Sequence, residues 1–177
     1  MSDFFFTKKM SLHKIETMSK TSVSILMGSS SDMPVMNRAV EIFKSFDVTY
    51  DINVYSAHRT PHDTLSFIEQ SSSDVFIAGA GGAAHLPGVV AAVTTKPVIG
   101  VPIKAEISIA GIDSLLSIAQ MPPGVPVATV GVNGAKNAGL LAVQILGIAD
   151  ERIQSLLVEF KESQRQTVLD SNRDLPR

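Results

Sequence analysis

From Val23 onward, short apolar runs alternate with longer segments in which apolar residues recur at helical spacing. This is the pattern of a parallel sheet covered by helices on both faces. Five runs read as strands, at residues 23–27, 48–54, 75–78, 97–101 and 126–130. All but the second are nearly continuous in apolar character, as strands buried on both faces should be. The second is more polar and belongs toward a sheet edge.

The helices follow from the same periodicity. Val35, Met36, Ala39, Val40, Ile42, Phe43 and Phe46 form one stripe, opened by Ser31 or Asp32 as N-cap and by Pro34 in the first turn. A second helix begins near Pro61, directs Leu65, Phe67 and Ile68 to the sheet and stops at Ser71-Ser72-Ser73. Shorter helices are predicted over residues 86–93 and 112–121, the latter closed by Pro122-Pro123-Gly124. Residues 138–149 are apolar on nearly every side, which calls for protein on more than one face. A final amphipathic helix spans residues 150–168. The expectation is a three-layer α/β fold: a doubly wound parallel sheet of flavodoxin or Rossmann type, about five strands, with a C-terminal helix.

At 177 residues, 45% of them apolar, the chain fits one domain with a full core. That domain is placed at residues 22–169, preceded by an extension at 1–21 and followed by a polar tail at 170–177. The extension pairs Phe4-Phe5-Phe6 with Lys8 and Lys9. Its apolar run is too short for a secretory h-region, so it is expected to be a flexible addition outside the fold. Fifteen basic and 17 acidic residues leave a net charge of −2, without the basic stripe of a nucleic-acid binder. No uncharged apolar run approaches the ~18 residues of a membrane span. With no cysteine, disulfides and thiol chemistry are excluded, and a reducing cytoplasm is the expected location.

In an open parallel sheet, ligands bind beyond the carboxyl ends of the strands, and those loops hold the candidate chemistry. Gly28-Ser29-Ser30-Ser31-Asp32 brings hydroxyls, free N–H groups and a helix N-terminus together, which suits a phosphate; a plain helix cap is the alternative. Ser56-Ala57-His58-Arg59-Thr60-Pro61 offers a guanidinium for phosphate beside an imidazole able to give and take a proton near neutrality. Residues 75–88 read Val-Phe-Ile-Ala-Gly-Ala-Gly-Gly-Ala-Ala-His-Leu-Pro-Gly. A loop with so few side chains lets a ligand approach the main chain, and His85 is its one titratable group. No P-loop and no metal-ligand spacing occur. The Gly79-x-Gly81-x-x-Ala84 spacing matches the dinucleotide fingerprint, but it follows the third predicted strand and runs into Pro87-Gly88.

These residues resemble a known family, the class I N5-carboxyaminoimidazole ribonucleotide mutases of purine biosynthesis. The likeness runs in register through Met27-Gly28-Ser29, Ser31-Asp32, residues 56–61, residues 78–88, Asp113-Ser114-Leu115, Ser117-Ile118, Gln120-Met121-Pro122, Asn137-Ala138 and Leu140-Leu141. The resemblance implies a homo-octamer acting on a small phosphorylated aminoimidazole ribonucleotide, with sites at subunit junctions and no metal or organic cofactor. It further implies His58 as acid/base and Ser29, Asp32 and Arg59 at the ribose-phosphate end. Ser56 would bind substrate as well, and the loop of Gly79, Ala80, Gly81, Gly82 and His85 would surround the carboxylate and a transient CO2. The chain departs from the pattern at Met33, where many members have Trp, at the short Ser71–Ser73 turn, and at Lys136.

Overall fold

The structure, a computed structural model, describes residues 22–173; the extension and the last residues of the tail lie outside them. Five strands, β1 (Val23–Met27), β2 (Tyr50–Val54), β3 (Val75–Gly81), β4 (Val98–Ile103) and β5 (Ala128–Thr129), form one parallel sheet in the order β2-β1-β3-β4-β5. Among the described residues six α-helices cover it: α1 (Met33–Ser45), α2 (Pro61–Gln70), α3 (Leu86–Val93), α4 (Ile112–Ala119), α5 (Ala135–Leu146) and α6 (Glu151–Ser171). A single 3-10 turn, Ser30–Asp32, leads into α1.

Alternation along the strands builds two cores. Val23, Ile25 and Met27 of β1 join Val75 and Ile77 of β3 and Ile99, Val101 and Ile103 of β4 on the face covered by α1, α5 and α6. Leu26, Phe76, Ala78, Ala80 and Val98 face the other way, against α2, α3 and Ile118 of α4. The more polar β2 is an edge strand, as its sequence predicts.

β2 starts two residues later than expected and β4 ends two residues later, while β3 and β5 differ from expectation for identifiable physical reasons. β3 and β4 stay paired through Gly81↔Ile103, so Gly79-Ala80-Gly81 is strand rather than loop. β5 shrinks to two paired residues opposite Ile99 and Gly100; Pro126 has no N–H to give a ladder.

The apolar sides of α5 are covered largely from within the chain. Gly139 brings α5 onto α1 so closely that a Cβ there would lie 3.1 Å from the Ala39 Cα. Leu140, Leu141, Ile145 and Leu146 are partly buried against the same core. α6 closes over it: Asp150 caps its N-terminus by accepting from the N–H groups of Arg152 and Ile153. Arg152 then donates to the Phe46 carbonyl at 3.1 Å, and the Phe46 and Phe160 rings meet at 5.6 Å. Larger exposed apolar side chains lie elsewhere, at Ile107 and Ile109 after β4 and at Ile112 and Leu116 on α4.

Candidate active site

From β1 the chain crosses first to β2 on one side and then to β3 on the other. The strand order therefore reverses beside β1, the place where such sheets open a crevice at their carboxyl ends. Met27, the last residue of β1, is in register with Val54 of β2 and Gly79 of β3. The three loops that follow are thereby held side by side.

The β1 loop is set by Ser29, whose hydroxyl accepts from the Ser31 hydroxyl at 2.9 Å and from the Ser31 N–H at 3.3 Å. It caps the 3-10 turn rather than α1; Asp32, at the N-cap position of α1, makes no side-chain cap bond. Asp32 is buried to 8% exposure. Burial raises its carboxyl above the usual 3.8, against the Ser29 hydrogen bond and the Arg59 charge, which lower it.

Ser56 knots the β2 loop. Its N–H donates to the Thr60 hydroxyl at 2.9 Å, and its carbonyl accepts from the Thr60 N–H and hydroxyl. Its hydroxyl accepts from the main-chain N–H of Arg59 at 3.2 Å and from Arg59 Nε at 3.3 Å. Arg59 reaches on to the Gly28 carbonyl through Nη2. One guanidinium thus ties the β1 and β2 loops together beside Asp32.

The knot leaves His58 exposed on the outside of the turn, where it meets the loop after β3. His58 Nε2 lies 2.8 Å from His85 Nδ1, with the rings edge to face at 88°. The two histidines are 27 residues apart in sequence.

The glycines between them have separate duties. A Cβ on Gly79 would lie 2.5 Å from Met36 Sδ, and one on Gly81 2.7 Å from the Ala105 Cβ. Gly81 is thus required by packing and Gly79 is crowded only by a flexible side chain, while Gly82, at φ +62°, makes the turn.

A cleft of about 380 Å³ takes in Ser29, Asp32, Ser56, His58, Arg59, Ala80, Gly81 and His85. Gly79 and Gly82 are not part of its lining. Ala105 and Ile107, after β4, complete the wall; only their place beyond a strand end signalled them, and nothing in their chemistry did. A larger groove of about 460 Å³ outside β2 is bordered by Asp51 and Asp63 without a cation. Its carboxylates disfavour an anion, which leaves the smaller cleft, where Arg59 stands, as the candidate site for an anionic ligand. Among the described residues no cluster of His, Asp and Glu could hold a metal ion, and no helix is long and apolar enough to cross a membrane.

The AIR carboxylase family matches residues 22–167. The chain belongs to that family. Relatives within it include the N5-carboxyaminoimidazole ribonucleotide mutase of Pyrococcus abyssi, 55% identical over 146 residues that span 81% of this chain and 83% of that protein. The Thermotoga maritima mutase is 52% identical, over 86% of this chain and 91% of its own length. Among solved structures, Treponema denticola PurE matches with a TM-score of 0.76 and 32% identity, over 88% of this chain and 98% of that one. The AIR carboxylase fold thus accounts for the five-stranded sheet and for the C-terminal helix laid over α5.

Proposed function

We propose that the protein is an N5-carboxyaminoimidazole ribonucleotide mutase, moving a carboxylate from N5 of an aminoimidazole ribonucleotide to C4. The observation that carries this reading is the His58–His85 pair, at 2.8 Å, in a cleft also lined by Arg59, Ser29 and Asp32. The relatives named above, which are called mutases, support it.

The phosphate lies at the β1 loop, where main-chain N–H groups and Arg59 supply positive charge. His58 protonates N5, the N5–carboxyl bond breaks, and CO2 stays against Ala80 and Gly81. C4 then attacks the CO2 carbon, and His58 takes the ring proton from C4, which returns the imidazole to its starting protonation. Each proton given is recovered, so the step is an isomerisation without redox or a group carrier. General acid–base catalysis of this kind is typically worth ~10²–10⁴ in rate. The reading includes the octamer with sites at subunit junctions, placement in the cytoplasm, and a single catalytic domain at residues 22–169.

The test is conversion of authentic substrate in the presence of labelled bicarbonate. Turnover without label in the product is expected of a mutase. Tight binding with no turnover would instead make the protein a nucleotide-phosphate binding module, and label incorporation would make it a carboxylase using outside CO2.

A further inference from the structure

His58 and His85 face each other through one nitrogen apiece, at a distance that admits one proton between them. Two N–H groups cannot point at each other across 2.8 Å, nor can two bare lone pairs share that line without repulsion. Which ring carries the proton decides which nitrogen of His58 is left for chemistry.

The acid form of His58 decides it, because in that form both ring nitrogens carry hydrogen. At this distance that form exists only if Nδ1 of His85 is bare and accepts.

We propose that His85 is the positioning residue for His58: its Nδ1 accepts from Nε2–H of His58, and His58 gives and takes its catalytic proton at Nδ1. The proposal rests on His58 as the acid/base and adds which atom works and what holds it. The ring of His58 keeps one tautomer through the cycle, since only the Nδ1 proton comes and goes. No ring flip separates protonation of N5 from deprotonation of C4.

Long-range proton–nitrogen NMR on the full chain, recorded above the ordinary imidazole range of about 6.5, reads the tautomers directly. The expected result is hydrogen on Nε2 of both rings and bare Nδ1 on both. Hydrogen on Nδ1 of His58 with a bare Nε2 would overturn the proposal while leaving His58 as the acid/base untouched. In kinetics, His85→Ala is expected to lower kcat by about 10- to 100-fold with KM within about threefold, a loss on the scale of acid–base catalysis. His85→Asn, whose amide oxygen can stand where Nδ1 stood, should recover to within about tenfold of the parent enzyme. Equal loss in both variants, or none in either, would refute positioning through Nδ1. Should His85→Ala fail to fold, the tautomers of the parent protein still decide. A fully active His58→Asn would sink the acid/base reading, yet it would not alter the measured tautomers, so the two failures are distinguishable.

Discussion

A Cβ placed on Gly81 would lie 2.7 Å from the Cβ of Ala105 and 3.1 Å from the Ile103 carbonyl oxygen, neither of which can move without shifting main chain. Gly79, two residues earlier in the same strand, is crowded by Met36 Sδ, near the flexible end of a long side chain. Gly81→Ala should therefore cost about 1–3 kcal/mol, as overpacking commonly does, and should distort the cleft. Gly79→Ala should cost less, because Met36 can swing aside. Denaturant titrations of the two variants, with kcat beside them, check the order; a reversed order would mean that the carboxyl end of the β3–β4 pair is looser than this packing requires.

His58→Asn should fold and bind substrate nearly as the parent does, while turnover falls by ~10² or more. The supporting geometry is that Ser56 and Thr60 fold the turn, with His58 outside its hydrogen bonds. Calorimetric binding and single-turnover assays separate the two effects. Retained turnover would remove His58 from the chemistry.

Asp32 gives a signed pH dependence. Burial, the leading cause, raises its folded carboxyl above 3.8, so between 3.8 and that raised value the native state holds more proton than the unfolded one. Stability from this group therefore rises as pH falls through the window, and the ionised form costs stability above it. Asp51 behaves alike, raised by burial against hydrogen bonds to Ser24 and Asn53. Asp32→Asn should melt no lower than the parent at neutral pH, and any gain should shrink as the buffer approaches pH 3.8. Its activity should fall, since the carboxylate faces the cleft beside Arg59. Thermal melts across pH, paired with KM, test both halves.

An octamer requires apolar surface that the single chain leaves open. Ile109, Ile112 and Leu116 remain 75%, 52% and 49% exposed, whereas Leu141 packs against the subunit's own core. A charge at Leu141 would thus perturb the fold, and one at Leu116 is the better probe. The parent protein should scatter light as a multiple of the 18.9 kDa chain. Leu116→Glu should reduce particle mass and activity together while melting cooperatively. A fully active particle of single-chain mass would exclude the shared site.

Residues 1–21 precede the family match, which begins at residue 22. A chain starting at Met18 should match the full chain in melting temperature and activity. A drop of several degrees would assign the extension a docking role.

The sheet was legible where side chains carry the signal. Val23–Met27 is buried at every position and reads as strand from composition alone; the polar Asp51 and Asn53 mark β2 as an edge. Gly79–Gly81 misled because glycine has no preference for strand, and what makes it strand is pairing with β4 under Met36, a tertiary cause. The loops of the site were legible from their place after strands and from His58, Arg59 and His85 themselves. The contact between the two histidines was not, because it depends on β2 and β3 flanking β1, which no local spacing encodes. The duty of Ser56 was hidden for a similar reason. A serine beside a histidine and an arginine suggests a ligand contact, and Ser56 does line the cleft; that its main chain and hydroxyl also fold its own turn shows only in the structure.

The edge position of β2 also bears on how the protein fails. Ser29 follows the interior strand β1 and His85 follows the interior strand β3, but His58 and Arg59 hang from a strand with a neighbour on one side only. Marginal strands detach by local opening at a smaller free energy than global unfolding. Amide hydrogens of β2 should accordingly exchange before those of β1 and β3. Heat would then silence the enzyme by carrying away His58 and Arg59 together, while the rest of the sheet still stands.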